Sequence, residues 1–259
     1  VREAFLDLDR ILRGEATTPR SLQQGSVEVV AGRLSLVVVV LAMIYGLCLG
    51  TFALFSTRGP VVMQMVASMV KVPALFFLTL LVTLPSLYVF NALVGSRLSL
   101  GAVVRLLIAT LGILTAVLSS LGPIVAFFSV SSTSYPFVLL MNVAVFGLSG
   151  TLAMLFLLRT LHRLSVSWPA ARVDISPSPP PDPAASSPGA LERLDDRALS
   201  RHVTAIFRVW IVLFSVVGAQ MGWVLRPFVG NPALPFTWFR GRESNFFQAV
   251  FRTIADLLS

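Results

Sequence analysis

Few residues in this chain could do chemistry, and most of them border long apolar runs. Lys71 is the only lysine. It stands two residues before Pro73, at the mouth of an apolar run that continues towards Arg97, with Pro85 in its middle and Asn91 near its close. A lysine at bilayer depth costs roughly 2.5–3.5 kcal/mol. It must therefore either snorkel to the interface or face a polar cavity, where it would attract an anion. Snorkelling is the ordinary outcome at the end of a span. No acidic residue occurs between Glu28 and Asp174, which removes carboxylate proton relays, carboxylate metal sites and aspartyl proteolysis from that stretch. Cys48 is the single cysteine, so neither an internal disulfide nor a thiolate metal site can form.

Gly147-Leu148-Ser149-Gly150 matches the serine motif that rhomboid proteases carry on a membrane helix. A serine nucleophile needs a base, and the two histidines, His162 and His202, both fall outside the apolar runs. The cluster Gly147, Ser149, Gly150 and Thr151 is accordingly read as helix packing. Two isolated imidazoles make a poor metal site. No catalytic, cofactor-binding or metal-ligating residue is expected, and the chain is read as no enzyme. Asn91, Asn142 and Gln220 are polar groups in or near apolar runs, where such side chains usually bond across helices.

The elements that position these residues are membrane helices. Of 259 residues, 56% are hydrophobic and 12% charged, against about a quarter charged in a soluble domain. The expected class is all-α: a polytopic transmembrane bundle of about five spans, with amphipathic interfacial helices at both ends. Residues 1–33 form a cytoplasmic segment, and Phe5, Leu8, Ile11 and Leu12 give it an apolar face suited to a membrane surface or to the chain's own loops. Residues 34–164 hold spans one to four, near 34–55, 73–94, 106–128 and 137–158. Tyr45, Gly46, Gly50 and Thr51 notch the first span, and Ala109, Gly112, Ala116 and Ser120 form a small-residue stripe on the third.

Residues 61–71 are apolar but too short to cross. They form an interfacial helix, a re-entrant one, or an extension of the second span kinked at Pro73. The Pro- and Ser-rich stretch 165–190 reads as a disordered linker. Residues 191–225 form a helix entering span five, where Gly218 and Gly222 make a GxxxG pair. Residues 226–259 combine an aromatic interfacial loop with a second amphipathic helix, on which Phe246, Phe247, Val250, Phe251 and Ile254 share a face. The first apolar run begins near Leu34, so it is read as an uncleaved anchor.

The net charge is +8, from 19 arginines and one lysine against 12 acidic residues. Arginines flanking spans meet headgroups and set orientation, so no nucleic acid is expected as a partner. With five spans, counting arginines on alternate sides puts the N-terminus in the cytoplasm and the C-terminus outside.

Two segments, KVPALFFLTLLVTLPSLYVFNALVGSR and GAQMGWVLRPFVGNPALPFTWFR followed by NFF, resemble a bacterial family of multi-span inner-membrane proteins without an assigned activity, some of them labelled actin-binding. The five-span layout is also similar to that of Yip1-type trafficking proteins. The resemblance implies a cell inner membrane location and carries no catalytic residue. The expected role is a scaffold or accessory subunit that binds membrane lipids and a membrane-protein partner or a second copy of itself. The alternative is a channel or transporter for a small anionic solute, built on Lys71 and the proline-broken second span. The residues expected to matter on either reading are Lys71, Pro73, Pro85, Asn91 and Gln220 in the spans. In the tail they are Trp223, Arg226, Pro227, Phe228 and Asn245.

Overall fold

The computed structural model describes residues 2–13, 31–54, 61–93, 100–167, 190–231, 234–241 and 244–258. Among these it is all-helical, with α1 (Arg2–Leu12), α2 (Ala31–Leu54), α3 (Val62–Leu93), α4 (Leu100–Ser131), α5 (Tyr135–Ser167), α6 (Ala190–Val224) and α7 (Phe246–Leu258). Four of these helices are long and apolar enough to cross a membrane: stretches Ala31–Leu54, Val62–Val89, Val103–Ser131 and Tyr135–Thr160. A fifth apolar stretch, Arg208–Val224, is shorter. The chain has the architecture of a multi-pass membrane helical bundle. Helices suit that setting because each satisfies its own backbone groups where water is absent.

Helix directions follow from the contacts. A Cβ on Gly46 would lie 2.6 Å from the Ser68 carbonyl oxygen, and one on Gly50 would lie 2.6 Å from Met65 Cα. Residues 46 and 50 thus meet 68 and 65 in reverse order, and α2 and α3 are antiparallel. Gly112 faces Leu34 while Gly122 faces Tyr45 and Cys48, so α2 and α4 run parallel. Tyr45 meets Asn142, and Phe52 meets Tyr135, which sets α5 antiparallel to α2. Trp210 reaches Thr83 and Gly222 faces Leu75, which sets α6 antiparallel to α3. One end of the bundle therefore gathers the close of α2, the start of α3, the α4–α5 turn and the end of α6.

The run from 70 to 97 invites a reading as the hub of the fold. The structure gives that place to α2, which packs against α1, α3 and α4. Its glycines let α3 approach to backbone contact, and its Tyr45, wholly buried, reaches α5. α3 lies to one side, between α2 and α6. The GxxxG pair that makes the close approach is Gly46 and Gly50. At Gly218 and Gly222 an added Cβ would meet side chains only at 3.4 and 4.0 Å.

Residues 62–71 are continuous with the second span, the extension among the expected forms. Pro73 and Pro85 both lie inside this helix of 32 residues, so Pro73 is not its first residue as the sequence suggested. Proline removes one i→i−4 bond, but apolar sequence on both sides leaves the chain no better state in lipid than to continue the helix.

α1 docks on α2 and α4. Ala4, Leu8 and Ile11 are its buried face, and Leu8 packs onto Gly112. Phe5 and Leu12, expected on the same apolar face as Leu8 and Ile11, are exposed. Arg33 bonds Glu3 at 2.9 Å across the α1–α2 contact. The linker residues 168–189 lie outside the described residues.

Candidate functional site

Three polar residues recur on α3 at i, i+4 and i+7, the spacing of one helix face: Gln64, Ser68 and Lys71, all buried. Pro227, Phe228, Gly230 and Trp238 lie over them. Gly230 allows this close seating, because a Cβ there would come within 3.0 Å of Ala53 Cβ and 3.1 Å of Gln64 Cγ. Gln64 Nε2 donates to the Pro227 carbonyl at 3.1 Å and the Phe228 carbonyl at 2.9 Å. Ser68 Oγ lies 2.6 Å from the Phe228 oxygen and 2.9 Å from the Gln64 oxygen, so its one proton is shared between the tail and its own helix.

Lys71 closes the row. Its Nζ donates to the Pro227 carbonyl at 3.1 Å and to the Trp238 carbonyl. The rings of Trp238 and Phe239 lie 5.9 and 5.2 Å away, within cation–π range. Lys71 is nine residues beyond the start of α3, about 14 Å along a helix rising 1.5 Å per residue. The sequence placed it at the mouth of a span, free to snorkel. In the structure it is 3% exposed, and the chain's own carbonyl dipoles take the place of water around the ammonium. An ammonium has three donors and no acceptor, so carbonyl oxygens and ring faces are its natural neutral partners.

A second set of contacts fixes the rest of the tail. Arg226 Cζ lies 3.6 Å from the centre of the Trp223 ring, and the guanidinium donates to the Gly241 carbonyl. Trp223 Nε1 donates to the Ser244 carbonyl at 2.5 Å. Gln220 Oε1 accepts from the Phe246 amide at 3.4 Å, where α7 begins. Asn245 Oδ1 accepts from the Gln248 amide at 2.8 Å; it is the N-cap of α7, satisfying an amide the helix cannot. The Arg226–Pro227 bond is cis.

Most of the expected residues therefore converge, but on each other. Lys71, Pro227 and Phe228 form one cluster, and Gln220, Trp223 and Arg226 another beside it. Pro73 is buried next to Lys71 in sequence, whereas Pro85 lies on the outer side of α3. The side chains of Asn91, His162 and His202 lie outside the described residues. Asn142 accepts from the Tyr45 hydroxyl at 2.9 Å and donates to the Val138 carbonyl at 2.7 Å, a buried cross-helix bond.

Ser149 is buried and donates to the Val145 carbonyl at 2.8 Å. A Cβ added at Gly147 or Gly150 would meet nothing within 4 Å, so among the described residues neither glycine packs against another helix. The cleft between α3, α4, α5 and α6 is apolar, lined by Leu80, Leu107, Leu114, Leu157, Trp210 and Phe214. The one polar atom of Trp210 there donates to the Thr83 carbonyl at 3.1 Å.

Sequence reasoning passed over Gln64, Ser68, Gly230 and Trp238. The first two had a signal: polar residues at 64, 68 and 71 mark one stripe of an otherwise apolar helix. For Gly230 and Trp238 the partner lies more than 160 residues away, and nothing local points to it. No family model, curated protein or solved structure matches the chain.

Proposed function

We propose that the chain is a non-enzymatic integral membrane protein that works as a scaffold or accessory subunit, binding lipid or a protein partner at the end of the bundle that carries its C-terminal segment. The observation that carries this reading is the fate of Lys71. The only cation buried in the described spans is engaged by two tail carbonyls and two aromatic rings. Gln64 and Ser68 are spent in the same way. A solute pathway needs polar groups turned towards a cavity, and these are turned towards the chain's own backbone. The cleft between α3, α4, α5 and α6 is lined by leucines, rings, Met154 and Thr110, whose hydroxyl donates to the Leu106 carbonyl of its own helix.

The two segments whose sequences resemble bacterial inner-membrane proteins are the ones that meet at Lys71. Arginine counting supports a cytoplasmic N-terminus, with the fifth apolar stretch crossing so that the tail lies outside.

Two experiments test the reading together. Extraction of the tagged protein from its native membrane in mild detergent should bring a stoichiometric partner, identified by mass spectrometry. Liposomes containing the purified protein should show no anion flux above empty liposomes. Flux that disappears in Lys71→Met would replace this reading by a transporter.

A further inference from the structure

The tail carries two features that the packing of the bundle does not use. The first is charge. Arg240 follows Phe239, whose ring lies against Lys71, so it stands at the same end of the bundle. Arg240 is half-exposed and enters no ion pair among the described residues. On α7, Arg252 is exposed and likewise enters none.

The second feature is an uncovered apolar face. α7 packs against α5 and α6, and Phe246, Ala249, Val250 and Thr253 are only partly exposed. A second stripe faces away: Phe247, Phe251 and Ile254, at i, i+4 and i+7, with Phe251 72% exposed. Trp238 and Phe239 in the preceding loop are exposed as well. Rings flanked by cations at the ends of apolar helices match the chemistry of the zone between acyl chains and headgroups. A helix with such a stripe and a polar opposite face lies in that plane.

From these observations we infer that the C-terminal segment is a binding site for anionic phospholipid: Phe247, Phe251 and Ile254 enter the acyl region of the facing leaflet, and Arg240 and Arg252 hold headgroup phosphate. The inference rests on the membrane reading above and names the lipid class. A protein partner is the less favoured occupant, because cations beside rings, with no ion pair among the described residues, complement an anionic headgroup layer without further groups to orient them.

Each cation beside an anionic surface is worth about 1 kcal/mol, or roughly fivefold. The full chain would be reconstituted in mixed phosphatidylcholine and phosphatidylglycerol liposomes and gently extracted. The ratio of the two lipids carried with it would then be measured by native mass spectrometry. Wild type should enrich phosphatidylglycerol, and Arg240→Gln with Arg252→Gln should reduce that selectivity by up to about 25-fold. Phe251→Ser should lower total retained lipid with the selectivity kept. These side chains are on the surface, and an unchanged melting temperature in detergent would confirm that the variants fold. Equal lipid ratios for wild type and the double arginine variant would overturn the proposal. So would a protein occupying this face in place of lipid. The flux and pull-down assays read the scaffold role separately, so either proposal can fail alone.

Discussion

Replacing Lys71 by Met keeps the length and apolar body of the side chain and removes the ammonium. The change deletes two charge-assisted hydrogen bonds, to the Pro227 and Trp238 carbonyls, each worth about 1.5–3 kcal/mol. It also deletes the contacts with the Trp238 and Phe239 rings, about 0.5–2 kcal/mol. Against this, the variant no longer buries a charge, which recovers roughly 2.5–3.5 kcal/mol. The Pro227 carbonyl keeps Gln64 as a donor, whereas among the described residues no other donor to the Trp238 carbonyl replaces Lys71. At the midpoints of these ranges the balance is a loss of about 2.7 kcal/mol from docking of the tail, or about 100-fold in its opening equilibrium. Val229, within the tail itself, is buried at 4% exposure and reports that opening. In a Cys48→Ala background, Val229→Cys should react slowly with a soluble maleimide in nanodiscs, and adding Lys71→Met should accelerate the reaction by that factor. A rate within twofold of the parent, with the helical content unchanged, would refute the view that Lys71 holds the tail.

Gly46→Ala and Gly50→Ala should each destabilise the bundle by about 1–3 kcal/mol, because the new methyl meets α3 backbone at 2.6 Å. Gly218→Ala and Gly222→Ala should be near neutral, and unfolding in mixed micelles would rank the four. Tyr45→Phe should cost about 0.6–1.7 kcal/mol through loss of the bond to Asn142. Tyr45→Phe combined with Asn142→Leu should cost less than the sum of the single changes, as a double-mutant cycle would measure. Asn245→Ala should remove about 1 kcal/mol of capping from α7, seen as faster amide exchange at residues 246–249 with the rest of the bundle unchanged.

The membrane helices were legible because apolar runs of this length have one common outcome. Their partners were less so. The notches at Gly46 and Gly50 could be read, but so could the GxxxG at Gly218 and Gly222. Only the structure distinguishes them, since a small residue permits close approach without requiring it. Pro73 looked like a helix start because proline often stands there; the apolar sequence on both sides overrode that signal. Lys71 looked like a snorkelling residue because position along one helix was the only information available. Its partners are carbonyls of residues 156 and 167 positions away, and a main-chain acceptor leaves no mark on the amino-acid type that supplies it. For the tail, composition gave its interfacial character, while Asn245, singled out as an interaction residue, proved to be a helix cap. Its Asn-x-x-Gln spacing ahead of an apolar run held that information.

The wide separation between Lys71 and its acceptors also bears on synthesis. A ribosome adds about 5–20 residues per second, so the carbonyls of Pro227 and Trp238 emerge roughly 8–33 s after Lys71. For that interval α3 is already made, and its ammonium lacks the Pro227 and Trp238 carbonyls that it meets in the folded chain. It must be hydrated, or shielded by the insertion machinery, until residues 227 and 238 arrive. Completion of the clasp thus waits on a segment made more than 150 residues later. A nascent chain halted before residue 227 lacks the carbonyls that cover Gln64, Ser68 and Lys71 in the folded chain.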